Sequence, residues 1–465
     1  MMRQAGSAKR RTRRVAAVLA ALVLGLARAR AADAPSDPSP DLWKDPAFQK
    51  AFLGSYGVQS ELEPKMTQIE LLAMQKVLPL MDTDPEAAAR KLKGLAKPNA
   101  SAVFDFTLGN LAFSKDQPEE AAGHYRTAIG KFPNFRRALR NLGLIQVRLG
   151  QYDDAVRSLS RVIELGGGEG LTYGLLGYSY AATGQSLSAE SAYRNAVLLQ
   201  PDLLDWKVGM AQTLFKQQKH AEAAALCGEL LERYPERVDL WLLQAGAYVG
   251  MGQPLKAAEN YEILRRMGKG TVASLATLGD IYVNEGLWDL AASAYGAALD
   301  ADPLQDAARP LRWIAVLAQR GATTQARALA SRCKAAYGDR LDGAARKDLL
   351  KQEARIAATD GADAEALTAL QEIVALDPLD GEALLLLGQH YTRADDLEQA
   401  QFYYERAESL EPFEAEAKVR RAQILVRQSR YKDAIPLLKR AQELKPRDDV
   451  ARYLEQVERL VRTRG

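Results

Sequence analysis

Seven alanines, Ala87, Ala121, Ala155, Ala189, Ala223, Ala257 and Ala291, recur at intervals of 34 residues. A second series of small residues, Gly109, Gly143, Gly177, Ala211, Ala245 and Gly279, keeps the same interval. A fixed period of this length restricts the chain to stacked copies of one supersecondary unit, each burying its apolar face against the next. The period is disturbed after residue 305 and resumes with Ala366, Ala400 and Ala434. Prolines close several units, among them Pro133, Pro201, Pro235, Pro303, Pro378, Pro412 and Pro446. Proline cannot extend a helical hydrogen-bond ladder, so these positions mark helix ends. Small residues at fixed places let two helices cross closely, and large ones fill the space between pairs.

The residues at the repeating positions resemble those of the tetratricopeptide repeat family. Its motif asks for a large residue, Leu-Gly and Tyr on helix A, then Ala, an aromatic, Ala and Pro along helix B. Leu384, Leu387-Gly388, Tyr391, Ala400, Tyr404, Ala407 and Pro412 match it, as do Leu275, Leu278-Gly279, Tyr282, Ala291, Tyr295, Ala298 and Pro303. The resemblance implies an all-α fold, a right-handed α-solenoid of antiparallel helix pairs in 34-residue units. Residues 102–305 hold six contiguous units and residues 347–448 three more. Residues 306–346 hold one unit plus seven residues, with Gln325 where Ala is expected. They are expected to form a degenerate repeat and a candidate bend. Residues 68–101 are expected to be a divergent capping helix pair, and residues 449–465 a C-terminal capping helix.

The N-terminus follows another pattern. Arg3, Lys9, Arg10, Arg11, Arg13 and Arg14 precede an unbroken apolar stretch from Val15 to Ala27, and Ala27-Arg28-Ala29 and Ala29-Arg30-Ala31 follow. A basic region, a short apolar region and an A-x-A site predict a secretory signal peptide over 1–31. The apolar stretch is too short to span a bilayer comfortably, which favours a cleaved signal peptide over the alternative of an uncleaved anchor. The expected product is exported and periplasmic, with the Sec and twin-arginine routes both open. Residues 32–67 are expected to hold a Pro/Asp-rich spacer and a short amphipathic helix opened by Asp45-Pro46 and carrying Phe48, Phe52 and Leu53. That helix is read as a lid on the first helix pair, or as an apolar peptide for a partner or for the chain's own groove. The stretch from Phe52 to Val58, with Glu61 and Glu63-Pro64, resembles exported repeat proteins associated with TonB-type outer-membrane transport systems.

Catalytic signatures are missing from the sequence. It has no G-x-S-x-G, H-E-x-x-H, phosphate-binding loop or dinucleotide fingerprint. Two cysteines, Cys227 and Cys333, exclude a disulfide scaffold and a cysteine-based zinc cluster, and His124, His220 and His390 are scattered. No enzyme activity, cofactor, metal or nucleic-acid ligand is expected, and any membrane contact is peripheral.

The family's peptide-binding surface is the concave wall lined by helix A. Carried onto this sequence, it comprises Phe106, Asn110, Phe113, Arg137, Arg140, Asn141, Tyr178 and Gln212. Asn110 and Asn141 match asparagines of the carboxylate-clamp subgroup, but Phe106 stands where a clamp lysine belongs. The expected function is a protein-interaction scaffold whose Arg and Asn residues hold an acidic or backbone-exposed peptide beside the aromatics. Expected partners are proteins, including TonB-type or outer-membrane assembly components.

Charge supplies the alternative. The chain carries 62 Lys+Arg against 59 Asp+Glu. Eight of those cations fall in residues 1–31, so cleavage leaves 54 against 59 acids. Residues 415–465 hold 14 basic and 7 acidic residues. A basic end of this kind suits a structural protein that binds peptidoglycan or another anionic surface.

Overall fold

The computed structural model describes residues 63–302 and 306–464. The expected signal peptide, the spacer, the short amphipathic helix and Pro303 lie outside the described residues. Two compact units divide the chain, Met1–Gln253 and Pro254–Gly465. Among the described residues all regular structure is helical.

In the first unit, α1 (Gln68–Gln75), α2 (Leu78–Thr83) and α3 (Pro85–Leu95) precede the regular repeats. Thr67 caps α1 in a reciprocal box with Glu70, and the Asp84 side chain caps α3 ahead of Pro85. The pairs are α4 (Ala102–Ser114) with α5 (Pro118–Lys131), α6 (Arg136–Arg148) with α7 (Tyr152–Glu164), and α8 (Gly170–Ala182) with α9 (Ser186–Leu199). Next come α10 (Leu204–Lys216) with α11 (His220–Arg233), then α12 (Val238–Gly250).

The second unit begins with α13 (Pro254–Arg266). Its pairs are α14 (Val272–Asn284) with α15 (Trp288–Ala301), α16 (Ala308–Gln319) with α17 (Thr323–Tyr337), and α18 (Gly343–Thr359) with α19 (Asp363–Leu376). Two more follow: α20 (Gly381–Arg393) with α21 (Leu397–Glu408), and α22 (Glu414–Arg427) with α23 (Tyr431–Leu444). The last helix is α24 (Asp448–Arg464), which packs Val450 and Val457 onto Leu438 and Ala441.

One backbone device repeats at each turn that follows a first helix. Asp116, Gly150, Gly184, Gln218, Gly252 and Gly286 all have positive φ and are spaced by 34 residues. The amide after each donates to the carbonyl five residues back, as in Gln117 to Ala112 at 2.9 Å and Leu287 to Tyr282 at 2.8 Å. This is the Schellman closure, which satisfies the otherwise orphaned carbonyls at a helix end. Five residues beyond each positive-φ position stands the periodic alanine, and from Ala121 to Ala291 these alanines are fully buried.

The same device locates the register within residues 306–346. Gly321 has positive φ, and the buried alanine five residues later is Ala326, not position 325. The repeat therefore keeps its pair geometry with a register slip of one residue. The rest of its surplus falls before Gly361 and Ala366, where a single 3-10 turn at Gly338–Arg340 and the 17-residue α18 intervene.

Close helix crossings explain the small-residue series. A Cβ on Gly109 would lie 2.6 Å from the Tyr125 ring, on Gly279 2.3 Å from Tyr295, and on Gly388 2.4 Å from Tyr404. All three tyrosines are essentially unexposed. Cys227 and Cys333 are buried and free, and burial pushes their thiols up to about 12 and about 11.

Candidate functional site: the first-helix face of residues 102–216

Arg137 lies in the first turn of α6 and places a guanidinium beside the chain that enters α1. Arg137 Nε and Nη2 donate to Glu63 Oε2 at 3.0 and 2.8 Å. The same guanidinium carbon lies 5.4 Å from the Phe106 ring centre and 5.9 Å from that of Phe135. Phe106 and Phe135 contact each other with centroids 4.9 Å apart. The Glu63 side chain is only 10% exposed and that of Arg137 22%. Charge-assisted donation by two nitrogens, made over two aromatic faces in a largely desolvated place, is a strong way to hold a carboxylate.

Beneath this pair sits a polar cluster. The Tyr125 hydroxyl, brought up by α5, donates to Asn110 Oδ1 at 2.6 Å. Asn141 Nδ2 donates to that oxygen at 3.2 Å. Both asparagines are fully buried. Asn110 Nδ2 is a buried donor with no hydrogen-bond partner. Burying an amide donor unpaired costs free energy, so this nitrogen is suited to donate to a carbonyl oxygen.

The structure thus brings Phe106, Asn110, Arg137 and Asn141 together. Arg140 lies on the same helix and pairs instead with Glu169, ahead of α8, at 3.1 Å. Phe113 is buried in the core of the first repeats. Tyr178 on α8 is buried edge-on against Tyr152, with centroids 5.7 Å apart. Gln212 is half-buried on α10. Phe106, Phe113, Tyr178 and both asparagines are all buried. Glu63 and Phe135 were not among the expected site residues. Their sequence signals are Glu63-Pro64 ahead of the first helix and Phe132-x-x-Phe135 in a turn between repeats.

In the second unit a small concavity lies between α18, α19 and α20, lined by Ala354, Leu370, Ile373 and Leu386. Its cations Lys351 and Arg355 already pair with Glu382 at 3.3 and 3.4 Å, and Lys351 also with Asp380 at 2.9 Å. The basic C-terminal end is similarly answered by neighbouring acids. Lys418 and Arg421 bind Glu408, Arg427 binds Asp395, Arg440 binds Glu414 and Arg447 binds Glu416. Among the described residues no group of three or more metal-ligating side chains forms, and no helix is long and apolar enough to cross a membrane.

A protein-family model described as tetratricopeptide repeat matches residues 106–169, 175–238, 208–267, 242–303, 352–403 and 392–449. A curated relative, the Hsp70-Hsp90 organizing protein of Triticum aestivum, is 32% identical over 103 residues. That match spans 22% of this chain and 18% of the relative's length. Among solved structures, a tetratricopeptide repeat protein from Parabacteroides merdae is 17% identical over 50% of this chain and 94% of its own, with a TM-score of 0.36. YrrB, described as having an unusual peptide-binding site, is 19% identical over 40% of this chain and 96% of its own, with a TM-score of 0.38. The Cut9–Hcn1 hetero-tetramer structure is 13% identical over 84% of this chain and 99% of its own, with a TM-score of 0.33. With more than half of its residues matched by the repeat model, and with the turn and core positions recurring as that repeat requires, the chain belongs to the tetratricopeptide repeat family.

Proposed function

We propose that this protein is a non-enzymatic protein–protein interaction scaffold. The first-helix face of residues 102–216 is its peptide site, and it selects a carboxylate flanked by apolar side chains. The observation that carries this reading is the Glu63 carboxylate held by Arg137 over Phe106 and Phe135. A site that binds this chemistry within the chain has the groups to bind it on a partner. The buried Asn110 donor adds a place for a peptide carbonyl. The basic and then apolar residues of 1–31 support export, and the reading extends to a periplasmic scaffold serving TonB-type transport or outer-membrane assembly. Pairing of the C-terminal cations with acids speaks against the alternative of a polymer-binding basic end.

Selection from a displayed random-peptide library tests the specificity. Enrichment of Asp or Glu beside aromatic residues, lost with Arg137→Glu/Arg140→Glu, is the expected result. No enrichment, or the same enrichment with the double variant, overturns it.

A further inference from the structure

We infer that the exposed side of α16, in the second unit, is a separate docking surface for a short acidic segment of a partner protein. The inference goes beyond the first-unit peptide face and stands independently of it. Its first support is the banding of charge along the repeats. Residues 271–305 hold five acids and no Lys or Arg, and residues 359–392 hold seven acids and no Lys or Arg. Between them, residues 306–358 hold 11 basic residues and 5 acids. Several cations of this block are answered by the flanking acids: Arg332 pairs with Asp300 at 2.5 Å, Arg327 with Asp360 at 2.8 Å and Lys347 with Asp377 at 2.7 Å.

Three arginines are left over, and they are the second support. Arg309 and Arg312 on α16 and Arg320 at its C-cap are exposed, and their guanidinium groups make no hydrogen bond or ion pair among the described residues. No acid lies on α16 itself. Asp306, just ahead of it, is engaged by the Ala308 amide at 3.0 Å, and Asp280 on α14 by the Tyr295 hydroxyl at 2.6 Å. First helices elsewhere differ. In α6, Arg137, Arg140 and Arg148 each pair with a carboxylate, and in α22 so do Arg420, Arg421 and Arg427.

Geometry makes the three one surface. At about 100° and 1.5 Å per residue, Arg309, Arg312, Val316 and Arg320 fall within an arc of about 80° that runs about 16 Å along the helix. Leu311, Ile314 and Leu317 form the packed side. Val316 is half-buried and sets an apolar spot among the guanidinium groups. Arginine presents a planar fork that takes a carboxylate through two parallel hydrogen bonds. About five extended residues cover 16 Å, so a short segment with carboxylates around one apolar side chain matches the arc. A long polyanion such as duplex nucleic acid would run onto the acid-only repeats on either side, where like charges repel.

Fluorescence anisotropy of a short fluorescein-labelled peptide of alternating Glu and Leu, titrated with the full chain, tests this. The host protein is Arg137→Glu/Arg140→Glu, which removes the first-unit cations, so failure of that face leaves the measurement intact. Saturable binding is expected, weakening as salt rises and falling at least tenfold when Arg309→Gln/Arg312→Gln/Arg320→Gln is added. All three side chains are exposed, so the substitutions leave the packed side of α16 untouched. No binding to the host, or equal binding with the three substitutions, overturns the inference. Duplex DNA and phosphatidylglycerol vesicles are titrated in parallel. Tighter binding of either through the same arginines overturns the assignment to an acidic peptide, as does self-association of the host that the three substitutions abolish.

Discussion

Gln218 adopts the left-handed conformation that glycine fills at Gly150, Gly184, Gly252 and Gly286. A side chain there costs roughly 1 kcal/mol because Cβ crowds the backbone. Gln218→Gly is expected to stabilise the protein by about 0.5–1 kcal/mol, read as a higher midpoint in urea with an unchanged slope. Gly279 is the opposite case, because its missing Cβ admits the Tyr295 ring. That ring is itself stacked on Trp313 at 5.0 Å, and its hydroxyl donates to Asp280 at 2.6 Å. The ring has no room to yield, so Gly279→Ala is expected to destabilise by about 1–3 kcal/mol in the same assay. Both positions are legible from sequence in different degrees. The small-residue series announces Gly279, because packing repeats with the period. Gln218 hides its backbone role, since left-handed φ leaves a sequence mark only where glycine fills it.

Between helices, Glu190 is a multiply bonded electrostatic tie. It lies on α9, accepts from Lys219 at 2.7 Å and Gln217 at 2.9 Å ahead of α11, and pairs with Arg194 on its own helix. The Lys219 hydrogen bond, with help from Arg194 and Gln217, holds its carboxyl at about 2, below the ordinary 4.5. A folded value below the unfolded one gives stability that is complete above about pH 4.5 and is lost as pH falls towards 2. Wild type is expected to lose about 1–2 kcal/mol between pH 6 and pH 2.5 from this group, the figure being discounted for the partly exposed Lys219. Glu190→Gln should be less stable at pH 6 and lack this part of the acid-induced loss, measured by urea midpoints at each pH. At the element scale the helix pairs follow from alanine, glycine and proline spacing, because the turn that joins them is short and stereotyped. The slip from 325 to 326 was hidden, because an extra residue in the chain leading to α16 shifts every later position together. Only the positive φ of Gly321 and the burial of Ala326 locate it.

For the whole molecule the question is what the first-helix face holds. Arg137 and Arg140 could be named from sequence because the family's inner positions are fixed by period. Their partners could not. Arg137 meets a glutamate 74 residues distant and Arg140 meets Glu169, and neither pairing follows from a 34-residue spacing. Capture of acidic partners by the Arg137 region can be tested directly. Full-length wild type, Arg137→Glu/Arg140→Glu, and the control Arg157→Glu, whose arginine is exposed on α7, are each immobilised and exposed to the same envelope extract. Bound proteins are then quantified by mass spectrometry. The expected result is a set of proteins retained by wild type and control and depleted at least tenfold by the double variant. The same set at the same abundance on all three would contradict it.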